Sequence, residues 1–108
     1  MLILFDHGTP RGIARSLKDC TVKEAKEQGW HTLSNGDLLK AAEDAGFDVL
    51  VTTDTSLPYQ QNLKGRRLAI VILSRNRWRS VRAVLPKVVT AVNAAKPGTF
   101  TVVEIPSK

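Results

Sequence analysis

The feature that most constrains this chain is a set of short apolar runs, each ending at a polar or turn-forming residue. Leu2 to Phe5 read Leu-Ile-Leu-Phe, residues 47–54 read Phe-Asp-Val-Leu-Val-Thr-Thr-Asp, and residues 68–73 read Leu-Ala-Ile-Val-Ile-Leu. A run apolar at every position has no wet face, so it suits a strand buried on both sides, as in a parallel sheet sheltered by helices. Residues 20–23 predict a further strand, and Thr-Phe-Thr-Val-Val-Glu-Ile, residues 99–105, alternates enough to be an edge.

The segments between these runs carry helical signals. Ile13, Ala14 and Leu17 follow Thr9 as a helix cap and Pro10 at the first helical position. Glu24 to Gln28 make a weak helical turn that Gly29 stops, and Ser34 to Asp37 open the clearest helix, ended by Gly46. Residues 80–95 repeat Val and Leu at helical spacing, with Pro86 as a kink or the true start. Strand and helix alternate without a linker or repeat. The expected fold is therefore a single α/β domain over residues 1–108, a three-layer α/β/α sandwich around a mainly parallel five-stranded sheet.

The charge is divided unevenly along the chain. Residues 1–54 hold nine acids and six bases, whereas residues 55–108 hold only Glu104 against ten bases, within a net charge of +6. A basic half of this kind attracts polyanions, and nucleic acid is the leading partner. Cys20 is the single cysteine, which excludes a disulfide framework and reads as a small buried residue. No apolar run approaches the roughly 18 residues of a membrane span, and no basic leader precedes the first strand, so a cytoplasmic protein without a membrane partner is expected.

In an open parallel sheet, ligands sit outside the carboxyl ends of the strands where the strand order reverses. Asp6 ends the first strand and Asp54 the third, and Asp37 joins them from the first turn of its helix. Clustered carboxylates need a cation or proton between them, and hard oxygen ligands favour Mg²⁺ or Mn²⁺. Local readings compete: Asp54 suits an Asx turn within Thr-Thr-Asp-Thr, and Asp37 completes a capping box with Ser34. Asp19, Glu43, Asp44 and Asp48 are read as solvated.

The stretches Ile-Leu-Phe-Asp-His-Gly-Thr-Pro-Arg-Gly-Ile-Ala-Arg-Ser-Leu (3–17), residues 29–63 and residues 68–86 together resemble the small stand-alone PIN-like domains, relatives of toxin–antitoxin nucleases. The resemblance spans nearly the whole chain. It implies a PIN-type sandwich and divalent-metal-dependent RNA cleavage, with Asp6, Asp37 and Asp54 as catalytic metal ligands and Mg²⁺ or Mn²⁺ as cofactor. A protein antitoxin and a homodimeric partner are implied in the same way. Two positions depart from the family pattern: His7 stands where a second acid commonly follows the first, and Thr55, Ser56 and Leu57 follow Asp54 where another acid is common. The expected cluster is thus a reduced one, with His7 a further metal ligand, a proton shuttle or a plain polar replacement.

RNA contacts are expected from Arg75, Arg77, Trp78 and Arg79, an aromatic set among guanidiniums beyond the fourth strand, and from Arg11, Gln61 and Asn62. Trp78 reads equally as a packing residue at a helix start. Two other readings stay open: a degenerate relative that binds RNA or protein without cleavage, and a phosphorylation receiver using Asp6, Asp54 and Ser74. Trp30 and His31 have no assigned role beyond a half-buried Trp covering the sheet edge.

Overall fold

A computed structural model describes residues 1–107 of the 108. The strands are β1 (Leu2–Phe5), β2 (Thr21–Glu24), β3 (Val49–Thr52), β4 (Ala69–Leu73) and β5 (Phe100–Val103). They form one five-stranded sheet in the order β2-β1-β3-β4-β5, with every pairing parallel. The helices are α1 (Asn35–Asp44), α2 (Leu57–Gln60), α3 (Trp78–Ala83) and α4 (Leu85–Ala94), and a 3-10 helix covers Arg11–Ser16. The expected three-layer α/β/α sandwich is what the chain adopts.

Alternation along the strands divides the core between the two faces. Ile3, Phe5, Val49, Val51, Val71 and Leu73 pack under Ile13 and Leu17 of the 3-10 region and Val81, Val88 and Val92 of α3 and α4. Leu4, Leu50, Ile70 and Ile72 point the other way, against Leu38, Leu39 and Ala42 of α1 and against Leu57 and Leu63. Because β3 and β4 are flanked by strands and sheltered on both faces, every residue in them is buried. That is why the sequence runs there are continuously apolar. Cys20 packs half-buried against the first cluster, and Trp30 meets Phe47 edge to face at 5.9 Å.

Local signals were resolved with three differences. The segment after Pro10 is a 3-10 helix, since Gly12 weakens α-helix formation in so short a piece. Thr9 does not cap it; it is buried, and its hydroxyl donates to the Val51 carbonyl at 2.9 Å. The helix expected over 80–95 is two helices, and Pro86 marks the start of the second, one of the two roles expected of it: it lies in the first turn of α4, where its missing N–H costs nothing.

Glu43 also departs from its expected solvated role. It forms an ion pair with Arg66 and accepts the Arg67 N–H at 2.9 Å, which ties the end of α1 to the approach to β4. Burial alone would raise its pKa, but the Arg67 N–H and the Arg66 guanidinium more than offset this and hold it below the usual 4.5. A lowered folded-state pKa contributes stability that is present above the unfolded value and lost as pH falls through the folded one. Acid titration of the melting temperature should therefore show stability declining below pH 4.5, and Glu43→Gln should make that decline shallower; parallel curves for the two proteins would remove Glu43 as a contributor.

Candidate functional site

The strand order reverses between β1 and β3, because the chain leaves β1 for β2 on one side and continues through β3 on the other. The carboxyl ends of these neighbours form the crevice such sheets use for ligands. Asp6 and Asp54 lie there, as their positions after the two apolar runs predict. Asp6 N–H donates to the Val51 carbonyl at 2.9 Å, so ladder pairing continues into the acid itself.

A buried hydroxyl connects the two acids. Thr52 has no exposed surface; its Oγ1 donates to Asp6 Oδ2 at 2.8 Å and accepts the Asp54 N–H at 3.1 Å. Asp6 Oδ1 accepts the His7 N–H at 2.8 Å. Asp54 is held more fully: Oδ1 accepts from Ser56 Oγ at 2.6 Å and Ser56 N–H at 3.0 Å, and Oδ2 from Asn35 Nδ2 at 2.8 Å. The Ser56 hydroxyl and then the Asn35 amide lower the Asp54 pKa, outweighing the opposing effect of burial. Asp54 thus makes the expected Asx-type turn and also fastens the loop after β3 to the start of α1.

The donors to both carboxylates are neutral. Among the described residues, the ion pairs are Arg11 with Glu24 and Arg66 with Glu43, so neither Asp6 nor Asp54 has a basic partner. Asp37 is exposed, and its N–H meets the Ser34 hydroxyl at 3.3 Å, which is the capping role weighed for it. From α1 it is Asn35, not Asp37, whose side chain touches Asp54. Among the described residues no three His, Cys, Asp or Glu side chains are grouped so as to hold a metal ion.

A cleft of about 250 Å³ opens beside Asp6, lined by His7, Gly8, Arg11, Glu24 and Lys26. Arg11 Nε pairs with Glu24 at 2.8 Å while remaining 82% exposed, so it spans the mouth of this cleft. His7 is exposed at the rim. Gly8, at φ +88, turns the chain back toward its helix, and the loop after β4 comes close, with Asn76 Nδ2 3.9 Å from where a Cβ on Gly8 would lie.

That loop carries the arginines. Arg75, Arg77 and Arg79 are exposed and ion-paired with no acid among the described residues. Trp78 between them lies over Gly12, whose added Cβ would fall 2.6 Å from its ring, yet 38% of its surface stays exposed. It packs and stays partly open to solvent at once. Gln61 sits against Gly36 at the start of α1, and Asn62 accepts the Lys64 N–H at 3.0 Å in a local turn. Ser74 Oγ accepts the Ile105 N–H at 2.7 Å, which fixes the end of β5.

Sequence reasoning missed Thr52 and Asn35. The signal for Thr52 was its parity: in β3 it follows Leu50 on one face, so a hydroxyl there must be buried. Comparison of the chain with family models, with curated proteins and with solved structures returns no match. Among the described residues no helix is long and apolar enough to cross a membrane.

Proposed function

We propose that this chain is a PIN-like domain that grips RNA along the Arg75, Arg77, Arg79 rim and cleaves it with a divalent cation at Asp6 and Asp54. The observation that carries the reading is the acid pair itself: two carboxylates at the switch point, joined through Thr52, with no basic partner among the described residues. Uncompensated negative charge at a strand-end crevice favours a cation. The donor set fits a hard ion, since each Asp6 oxygen accepts one hydrogen bond and keeps a lone pair.

Bound there, Mg²⁺ or Mn²⁺ would supply Lewis-acid charge beside a scissile phosphodiester. Asp6 and Asp54 would hold it, with Thr52 fixing Asp6. Arg75, Arg77 and Arg79 neutralise the backbone phosphates, and Trp78 offers its exposed ring surface to an unpaired base. Asp37 caps the start of α1 with Ser34 and makes no hydrogen bond to this pair among the described residues, and His7 lies exposed on the rim. A toxin-type ribonuclease restrained by an antitoxin protein is the form this reading takes in the cell, and RNA as substrate goes with a cytoplasmic location.

A second reading, RNA binding without cleavage, is favoured by the occupied Asp54 carboxylate, whose oxygens are already engaged by Ser56 and Asn35. Nitrocellulose filter binding of a single-stranded RNA in EDTA tests the part that both readings share. Replacing Arg75, Arg77 and Arg79 together by Ser should weaken binding at least about tenfold and lower the salt slope by about 2, at roughly 0.7 counterions per phosphate contact. Unchanged affinity and slope would place RNA elsewhere or remove it.

A further inference from the structure

The two edges of the sheet differ. β2 carries Lys23 and Glu24 within its span, charges of the kind that discourage a further strand. β5 reads Phe-Thr-Val-Val, with neither a charge nor a proline, and among the described residues no strand pairs with its outer side. Phe100 and Val102 are 44% and 42% exposed. They share a face with Ile70 and Ile72, their register partners, on the side where α1 packs, but among the described residues no helix covers them. A groove of about 540 Å³ runs along the other side of the same edge, lined by Lys87, Thr90, Ala91, Thr101, Val103 and Glu104 among others.

The hydrogen-bond phase shows what this edge offers. Thr99 and Val103 carbonyls accept from the Ile70 and Ser74 N–H groups, at 3.0 and 3.1 Å. In a parallel ladder alternate residues bond to one side. The N–H and C=O groups of Phe100, Val102 and Glu104 therefore point away from the sheet.

We infer that β5 is the interface for a second copy of this chain, added antiparallel about a two-fold axis at Val102. In this register Val102 exchanges both backbone bonds with Val102 of the second copy, and Phe100 does so with Glu104. The side chains then match. Val102 meets Val102, and Phe100 covers the stem of Glu104. The charges match too: Glu104, the only acid in residues 55–108, comes beside the turn of the other copy that contains Lys96. A two-fold makes each match twice, so the edge is complementary to itself and a foreign strand is not required.

Two chains of net charge +6 also repel, so association strengthens as salt screens that repulsion. The inference is independent of the RNA reading, because the edge lies outside the crevice residues. Sedimentation equilibrium over about 1 µM to 1 mM tests it. The mass should rise from 11.9 kDa toward twice that value. Val102→Pro removes an N–H that the sheet does not use, and Val102→Lys adds an edge charge. Both variants should stay at 11.9 kDa at every concentration, with circular dichroism spectra like the parent's. A parent that remains a monomer throughout overturns the proposal, as does a dimer that survives Val102→Lys or a folded Val102→Pro.

Discussion

Thr52→Val should lower the melting temperature by roughly 5 to 20 °C while leaving the shape of the core unchanged. Valine matches threonine in size, and the site is fully buried beside its register partner Ile72, so the packing there is retained. What is lost is one donor and one acceptor. Asp6 Oδ2 loses its 2.8 Å partner and the Asp54 N–H its 3.1 Å acceptor. Leaving such groups without partners costs about 1–3 kcal/mol, and each kcal/mol shifts the midpoint of a domain this size by about 4–8 °C. Differential scanning calorimetry reads the effect. A shift under about 2 °C would show that water replaces the hydroxyl on both acids, and the link through Thr52 would then carry no energy.

The second large effect concerns the cation. Asp6→Asn keeps the size of the side chain and an acceptor oxygen for the Thr52 hydroxyl, but removes one of the two charges at the switch point. Cleavage of RNA in Mn²⁺ should fall at least about a hundredfold, comparable to about 2.7 kcal/mol of lost transition-state stabilisation. RNA binding in EDTA should be retained, because the arginines are untouched. Asp54→Asn should lose cleavage too, and also stability, since its carboxylate fastens the β3 loop to α1 through Ser56 and Asn35. Full cleavage by both variants would move the chemistry to another part of the molecule. A parent protein that binds RNA and never cleaves it would select the binding-only reading.

The sheet was legible because burial on both sides leaves a simple trace, an apolar residue at every position of β4 and at every position of β3 before Thr52. The same runs located Asp6 and Asp54, since a strand end is a fixed place in a parallel sheet. What the sequence hid was partnership across distance. Asn35 and Asp54 are nineteen residues apart and Glu43 and Arg66 twenty-three, and no local pattern links them. Reading by charge favoured Asp37 at the start of α1, whereas the contact that forms is made by the neutral Asn35, which can donate to a carboxylate that Asp37 would repel. Thr9 was misread for a related reason. Its hydroxyl donates to the Val51 carbonyl across the sheet, instead of accepting from the first N–H groups of the short helix that follows, as a cap would.

The measurement that bears most directly on the crevice is the melting temperature of the parent and of Asp6→Asn against Mn²⁺ concentration. A cation held by Asp6 and Asp54 stabilises the folded chain by RT ln(1 + [Mn²⁺]/Kd), about 2.7 kcal/mol at a hundredfold excess over Kd. The parent midpoint should rise with the logarithm of Mn²⁺ concentration, and that of Asp6→Asn should stay level. A flat response in the parent up to about 10 mM, or equal rises in the two proteins, would contradict a cation site at the switch point.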